Sequence, residues 1–477
     1  MKSLKKMFTG RMFKAGSYST FAAVIVIAIA VAVNMVCSAL PSTATQFDLT
    51  ANNIFTLSDQ SRRIVSSLDQ PVTLSLIATT GQEDATVTKL LDRYKALSSK
   101  VTVAYVDPAT QPTFLKQFDD IDQDKLYANS VMVQSGDRHR FVSYADILVT
   151  DYSMNYSTYS YDTTQTFNGE QELTSAIHYV TSDTLPKVYT LTGHGEGTLS
   201  DTIQDAMKAE NLESDTLSLL TAESVPEDAS AVVIYAPSSD LNENEAQLLI
   251  DFIGKGGGVV LLTDYTDPTK IPNLLKVTSA MGVTLADGLI VEGDMNMCLR
   301  GYAHYLVPTI NTHDITQPLL DSKYPVLLPL AQAITKTGEG SATVTALLST
   351  SSSSYAKLAG LSMTTYDKED GDTDGPFDIG VACEDGEGHF VWFSAAQMLD
   401  DNVNNMVSGG NSDLFINSLN WMCEQEEAIS IRSKSMDKQT LTVPTAQNSF
   451  WSTVMIGIVP AALLALGIVI WYRRKRK

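Results

Sequence analysis

The chain has 477 residues, long enough for two or three domains, and it carries 55 acidic against 33 basic residues. Ten of the basic residues lie in two tails, residues 1–17 and 473–477, which leaves 23 basic against 55 acidic groups in the remainder. A body of that charge repels phosphate backbones, which excludes a nucleic-acid-binding role.

Two uncharged apolar stretches lie just inside the basic tails. We predict transmembrane helices at residues 18–40 and 450–472, because about twenty apolar residues in a helix cross the hydrocarbon layer. A cleavable signal peptide is the alternative for the first stretch, but its length and the lack of a clear cleavage site favour an anchor. The positive-inside rule places both tails in the cytoplasm. The prediction is a two-pass protein of the cell membrane whose residues 41–449 are extracytoplasmic.

The first extracytoplasmic region, residues 41–183, is predicted to be a thioredoxin-like α/β domain. The patterns indicate a helix at 59–68 capped by Ser58, a strand at 72–78, a helix at 83–97, a strand at 101–108 and a hairpin at 129–144 with Gly136 in its turn. Residues 151–165 are either a loop or an exposed edge, and a helix follows at 170–182. The region has no Cys-x-x-Cys motif, which excludes thioredoxin-type redox chemistry.

The second region, residues 184–435, is predicted to be a doubly wound domain with a parallel sheet. Near-continuous apolar strands alternate there with helices, which is typical of a sheet covered on both faces. The predicted strands are 187–192, 213–219, 231–236 and 258–264, and the predicted helices are 199–210, 243–254, 272–281 and 414–426. Short strands near 284–310 and a mainly β stretch at 320–400 form a β-rich extension. Residues 436–449 are a polar linker to the second apolar stretch.

The candidate binding residues are Gly193, His194, Gly195 and Glu196, which follow the first strand of the second region. Glycines at a strand end permit positive φ angles, and ligands bind at the carboxyl ends of parallel strands. The chain has no Gly-x-Ser-x-Gly elbow, no His-Glu-x-x-His motif and no metal-ligand spacing among its six histidines. We favour a structural turn whose polar groups cap the next helix. Binding of a ligand or partner and catalysis are the alternatives.

No cofactor is predicted, and the one metal candidate is incomplete. Asp370, Asp372 and Asp374 occupy the first three calcium-loop positions, but the twelfth position is Val381 where a glutamate is required. The glycine-rich stretch 254–259 lacks the phosphate-loop pattern and reads as a helix end. Three cysteines lie outside the predicted spans, and one disulfide among them is an open alternative: Cys298, Cys383 and Cys423.

Several segments, taken in order, resemble the GldG-like auxiliary subunits of ABC-type transport systems, first associated with gliding motility. The similar segments are FDLTANNIFTLSDQSRRIV at 47–65, VYTLTGHGE at 188–196, LLIDFIGKGGGVVLLTD at 248–264, GPFDIGVACE at 375–384 and residues 410–434. The extracytoplasmic part of that family resembles the domain shared with intraflagellar-transport proteins. The resemblance spans most of the chain between the two apolar stretches.

The resemblance implies a multi-span permease and a cytoplasmic ATPase as partners, and it supplies no catalytic residue. We therefore predict a membrane-anchored, non-catalytic auxiliary subunit that binds a substrate, a surface polymer or a partner. The alternatives are an extracytoplasmic hydrolase or amidotransferase-like enzyme that uses His194 and Glu196, and a surface scaffold.

Overall fold

The computed structural model describes residues 23–35, 48, 50, 52–118, 128–155, 160–182, 184–338, 341–423, 431, 434–436 and 453–475. Across these residues the chain is a mixed α/β protein, and its largest sheet has 12 strands. The buried apolar residues of the first region form a core separate from those of the second region. We refer to these two regions as the first and the second domain.

The first domain is a sheet packed against helices. Its elements, in chain order, are α1 Asp59–Ser66, β1 Val72–Ile77, α2 Ala85–Leu97, β2 Val101–Val106, β3 Ser130–Ser135, β4 Arg138–Val142, α3 Tyr144–Ile147, β5 Leu148–Asn155, β6 Ser160–Phe167 and α4 Gly169–Thr181. The main sheet has the order β2-β1-β3-β4, with β1 parallel to β2 and the other pairs antiparallel. This is the βαβ unit and hairpin expected of a thioredoxin-like domain.

Local chemistry fixes the ends of these elements, with the cap at Ser58 and the turn at Gly136 as predicted and the second helix beginning at Ala85 rather than at 83. Ser58 caps α1 by accepting a hydrogen bond from the Ser61 N–H, and Asp84 caps α2 in the same way. Gly136 has a φ of 55° in the β3–β4 turn, a conformation that glycine adopts without strain. In the stretch predicted as either a loop or an edge, the described residues belong to the antiparallel strands β5 and β6, and residues 156–159 lie outside the described ones.

The chain that follows the last helix of the second domain returns to the first domain. Strand β22, Lys434–Ser435, pairs with β6, and Ile431 is buried in the first-domain core. The sequence assigns both to the second domain, because they follow its last helix in the chain. The structure differs because the Ile431 side chain packs in the first-domain core and the Lys434 ammonium group contacts Glu170 of the same domain.

A buried carboxylate, Glu170 at the start of α4, joins the beginning of the first domain to the segment that follows the second domain. Its Oε1 accepts hydrogen bonds from the Ser58 N–H at 2.5 Å and the Ser61 hydroxyl at 2.8 Å. Its Oε2 lies 2.7 Å from the Lys434 Nζ. Lys434 also donates to the Thr56 carbonyl at 2.7 Å. We call this cluster the Glu170 node. It holds the segment that follows the first apolar stretch against the segment that leads to the second.

The second domain is built on the 12-stranded sheet. Its elements, in chain order, are β7 Lys187–Leu191, α5 Asp201–Ala209, β8 Glu213–Leu217, β9 Ala229–Tyr235, α6 Glu243–Ile253, β10 Gly258–Leu262, α7 Pro272–Ala280, β11 Val283–Val291, β12 Cys298–Leu299, β13 Tyr302–Leu306, β14 Thr309–Ile310, α8 Gln317–Ser322, β15 Leu328–Pro329, β16 Gln332–Lys336, β17 Thr343–Ser349, β18 Tyr355–Lys357, β19 Thr373–Asp374, β20 Asp378–Asp385, β21 Gly388–Phe393, α9 Asp401–Met406 and α10 Gly410–Met422. The helix predicted at 414–426 thus begins earlier, at Gly410.

Parallel strands form one half of this sheet, in the order β8-β7-β9-β10-β21. The remaining strands continue it antiparallel from β21 through β20. The predicted β-rich extension therefore completes the same sheet, and β21 supplies a parallel strand that the sequence pattern does not indicate. Helices α5 and α10 contribute to the core on one face, and α6 and α7 to the core on the other. Both faces are covered, as the apolar strands predict.

The apolar stretches are only partly described. Helix Thr453–Arg473 is long and apolar enough to cross a bilayer, with a mean hydropathy of 2.6. The described part of the first stretch, Ala23–Met35, is helical and apolar but too short to span by itself. The other residues of the predicted first span lie outside the described ones. The structure thus gives one candidate span, and the second span of the two-pass prediction stays a proposal.

The two domains meet through α4. Asn211, just after α5, donates from its Nδ2 to the Ser175 carbonyl at 2.9 Å. The guanidinium of Arg140 on β4 donates to the Asn211 Oδ1 and to the Lys208 carbonyl. It also lies 5.0 Å from the centre of the Tyr179 ring. Helix α4 therefore carries the Glu170 node at its beginning and the domain contact at its end.

The carboxyl of Glu172, on α4 near this contact, is held in its neutral form near neutral pH. Burial raises its pKa to about 7, and repulsion from Asp146 adds to the rise while Arg140 and Lys208 oppose it. The unfolded chain releases this proton near the ordinary value of 4.5. The folded state consequently binds an extra proton between these two pH values.

We expect the free energy of unfolding to fall as the pH rises from about 5 to about 7, and then to level off, with Glu172 contributing ~2–3 kcal/mol to the fall. Glu172→Gln should remove this contribution, so that the variant gains stability over the unmodified protein only at the higher pH. Urea unfolding across this range measures the difference. Glu213→Gln, at an exposed site, is the control. A stability difference for Glu172→Gln that does not change with pH would contradict the assignment.

Candidate functional site

The predicted site residues follow β7 at the carboxyl edge of the parallel sheet. Two glycines there adopt positive φ angles, 125° at Gly193 and 69° at Gly195. A Cβ at Gly195 would collide with the Ser238 hydroxyl, so the glycine allows this turn to approach the loop after β9. The His194 carbonyl fastens the two together by accepting hydrogen bonds from the Ser238 and Ser239 N–H groups, both at 3.0 Å.

The imidazole of His194 is buried between two carboxylates. The side chain is 5% exposed. Its Nδ1 lies 3.2 Å from the Glu196 Oε1, and its Nε2 lies 3.0 Å from the Glu245 Oε2. The His194 N–H also donates to the Glu196 Oε2 at 2.7 Å. A carboxyl oxygen therefore lies within hydrogen-bond distance of each ring nitrogen.

Glu245 is the residue of this site that the sequence reasoning missed. It forms the capping box of α6, in which the Glu245 Oε2 accepts from the Asn242 N–H at 2.7 Å and the Asn242 side chain accepts from the Glu245 N–H at 3.1 Å. The Asn-x-x-Glu pattern marks this helix start in the sequence. It does not indicate the contact with His194, because that residue lies 51 positions earlier.

The turn therefore fastens to a different helix from the one expected. The next helix, α5, is capped by Ser200, whose hydroxyl accepts from the Ile203 N–H. His194 instead contacts the capping carboxylate of α6, across the β7 and β9 ends. The Glu245 Oε1 is buried and has no hydrogen-bond partner among the described residues. A buried polar oxygen without a partner is costly, so the contact between the His194 ring and the other Glu245 oxygen is important for stability.

The contacts of His194 leave little room for acid–base chemistry. A general base needs a ring nitrogen within reach of a substrate proton, and here both nitrogens contact glutamates. The nearby hydroxyls of Ser238 and Ser239 lie against the His194 carbonyl and not against its ring. The geometry favours a role in holding the sheet edge together.

Solvent reaches the sheet edge beside this turn at a group of polar side chains. The Tyr235 ring lies against Gly197, and burial together with the charges of Asp264, Asp400 and Asp401 raises the pKa of its hydroxyl. Burial also raises the pKa of the Asp264 carboxyl, although that side chain is accessible to solvent.

Among the described residues, no group of three or more His, Cys, Asp and Glu side chains is arranged to hold a metal ion.

The three aspartates of the calcium candidate do not converge. Asp372 is nearly buried and lies 3.5 Å from the Nζ of the fully buried Lys357. Asp374 pairs with Lys368 at 2.5 Å, and Asp370 is exposed. Two lysines thus neutralise two of the carboxylates that a calcium ion would need.

The three cysteines, for which the sequence left one disulfide open, are free thiols: Cys298, Cys383 and Cys423. Burial raises the pKa of Cys383 and of Cys423 to about 12. Because the thiolate is the reactive form, both thiols are poor nucleophiles at neutral pH.

Comparison with known families links the second domain to transport. Residues 185–417 match the family model described as an ABC-type uncharacterized transport system. Residues 51–150 match a model described as a domain of unknown function, DUF7088. No curated protein matches the chain. The match over residues 185–417 supports an auxiliary component of an ABC transport system.

Solved structures resemble the chain only distantly. The "mmIFT52 N-terminal domain" is 11% identical with a TM-score of 0.37, over 50% of this chain and 96% of that one. PurLQS from Thermotoga maritima is 10% identical with a TM-score of 0.25, over 50% of this chain and 100% of that one. An exo-beta-1,4-mannosidase from an Opitutaceae bacterium is 10% identical with a TM-score of 0.30, over 70% of this chain and 49% of that one. Likeness at this level carries no functional argument.

We expect His194→Ala to lower the free energy of unfolding by about 3 kcal/mol, because it removes a hydrogen-bond partner from each of two buried carboxyl groups. Adding Glu245→Gln should recover part of this loss, since the amide needs no counter-charge. Urea unfolding at constant pH measures both effects, and His304→Ala serves as a control at a half-buried histidine. A His194→Ala cost below about 0.5 kcal/mol, the range of an ordinary surface change, would contradict the structural role.

Proposed function

We propose that this chain is a membrane-anchored, non-catalytic auxiliary subunit of an ABC-type transport system, of the GldG-like kind. The observation that carries the proposal is the match of residues 185–417 to the family described as an ABC-type uncharacterized transport system. The extracytoplasmic domains would bind a substrate, a surface polymer or a partner, and the apolar helices would hold them beside a permease.

Anchoring at both ends is supported by the apolar helix Thr453–Arg473 and by the Glu170 node. The node brings the chain next to the first apolar stretch into contact with the chain that leads to the second. The Asn52 side chain donates to the Ser435 carbonyl at 2.5 Å, which adds a second contact between these segments. Two spans that enter the bilayer side by side, with both basic tails in the cytoplasm, fit this arrangement.

The geometry of the glycine-rich stretch in the second domain supports the proposal that another protein of the system hydrolyses ATP. Gly254 ends α6, and Gly256 has a φ of 96° in the turn into β10. This turn connects a helix end to a strand start, whereas a phosphate loop opens a helix. ATP hydrolysis would therefore belong to a separate cytoplasmic ATPase, and the transport path to a multi-span permease.

An enzyme that uses His194 and Glu196 is the alternative with a geometric starting point, because a histidine between carboxylates also occurs in catalytic sites. For catalysis the turn would have to open and release at least one carboxylate. Replacing both residues with alanine separates the two functions. If the chain is an auxiliary subunit, the double variant should lose stability and no turnover activity should disappear. If the chain is an enzyme, the double variant should lose a turnover activity and keep its stability.

The two-pass topology makes a prediction about protease access. Protease added outside intact cells should digest the extracytoplasmic domains and spare a C-terminal affinity tag. Leu463→Arg should expose the tag, because an arginine at the helix centre costs about 3 kcal/mol on insertion. Tyr472→Arg, which places the same charge at the helix end, is the matched control. Domains that resist the protease, or a tag that is digested in the unmodified protein, would contradict the topology.

The transport role makes a prediction about copurification. The tagged chain, extracted from its native membrane in mild detergent, should bring with it a permease and an ATPase in a fixed ratio. The Leu463→Arg variant should lose both partners, whereas Tyr472→Arg should keep them. Quantitative mass spectrometry and the ATPase activity of the purified sample measure the result. Purification of the chain in good yield without a permease or an ATPase would instead favour a surface scaffold.

A further inference from the structure

A groove of 710 Å³ lies at the amino edge of the parallel sheet, opposite the His194 turn. It runs past the first residues of β9 and β10 and reaches the end of α10. This is also the edge at which the chain passes from α4 of the first domain into β7. Its volume falls in the range of protein sites that bind small ligands or a few side chains of a partner.

The floor of the groove is apolar. Val225 and Met422 are buried there, and Leu248 and Phe252 are half-buried. A Cβ at Gly257 would collide with the Phe252 ring, so this glycine lets the ring pack against the backbone. The floor is thus part of the folded core and exists before any partner binds.

The rim of the groove is acidic. Four exposed carboxylates stand on it, contributed by Glu223, Glu227, Asp251 and Glu387, against the single cation of Lys255. Among the described residues, none of these four carboxylates takes part in an ion pair. The rim therefore keeps a net negative charge beside an apolar surface.

We propose that this groove binds a cationic amphipathic segment of a partner protein, whose lysine or arginine side chains pair with the rim and whose apolar side chains lie on the floor. The negative rim disfavours acidic peptides and anionic polymers. The apolar floor selects against purely cationic ones, because they leave it exposed to water. The proposal stands independently of the transport role, since it depends only on the groove.

The test uses the full chain in phosphatidylcholine nanodiscs and a fluorescent synthetic peptide with lysine and leucine at helical spacing. Empty nanodiscs set the baseline for binding to lipid. Three comparison peptides replace lysine with glutamate, scramble the order, or contain lysine alone. Fluorescence anisotropy measures the affinity, and hydrogen exchange locates the site. We expect the amphipathic cationic peptide to bind most tightly and to protect residues 223–230 and 248–257.

The variant Glu227→Lys/Glu387→Lys should weaken binding about tenfold or more, because two attractive charges become repulsive. The matched control Asp287→Lys/Asp370→Lys makes the same change of net charge at exposed sites outside the groove and should leave the affinity within about twofold. Leu248→Ser should weaken the amphipathic peptide but not the lysine-only peptide.

Three results would overturn the proposal. The first is that the groove variant and the control variant weaken peptide binding equally, because the net charge of the protein would then explain the whole effect. Another is a lysine-only peptide that binds as tightly as the amphipathic one, and the third is protection elsewhere on the chain. Thermal unfolding of each variant verifies that it is folded, and Leu248→Ser tests the floor without a change of charge.

Discussion

The Glu170 carboxylate is the interaction on which the arrangement of the whole chain depends. It is 2% exposed and receives hydrogen bonds from the segment after the first apolar stretch and from Lys434, near the start of the second. A buried charge is tolerated only when its partners are in place. The carboxylate therefore fixes where the chain after the first apolar stretch and the chain before the second apolar stretch lie on the first domain. If both ends enter a membrane, they do so from one place.

Helix α4 extends this constraint to the second domain. It begins at the Glu170 node and, 13 residues long, ends beside Asn211 and Arg140. At 1.5 Å per residue, about 8 to 14 Å of helix separates Glu170 from Ser175 and Tyr179, the two residues of α4 that contact Asn211 and Arg140. Helix α4, together with Arg140 on β4, therefore connects the Glu170 node to the second domain. Glu172 lies on it, so the protonation of one carboxyl is tied to the same contact between the domains.

The two edges of the large sheet have different characters. At the carboxyl edge, where many α/β proteins bind ligands, His194 is enclosed by Glu196 and Glu245 and ties three chain segments together. At the amino edge lies a groove with an apolar floor and a negative rim.

The sequence by itself determined the elements whose causes are local. Ser58 and Gly136 mark a helix start and a turn, and the apolar runs at β9 and β10 mark buried parallel strands. It also determined the acidic body and the two apolar stretches. Only the tertiary structure decided that Glu245 faces His194, that Lys434 returns to Glu170, and that β21 lies beside β10. Each of these pairs joins residues far apart in the chain, and local periodicity or capping contains no information about which distant partner will neutralise a buried charge or complete a sheet.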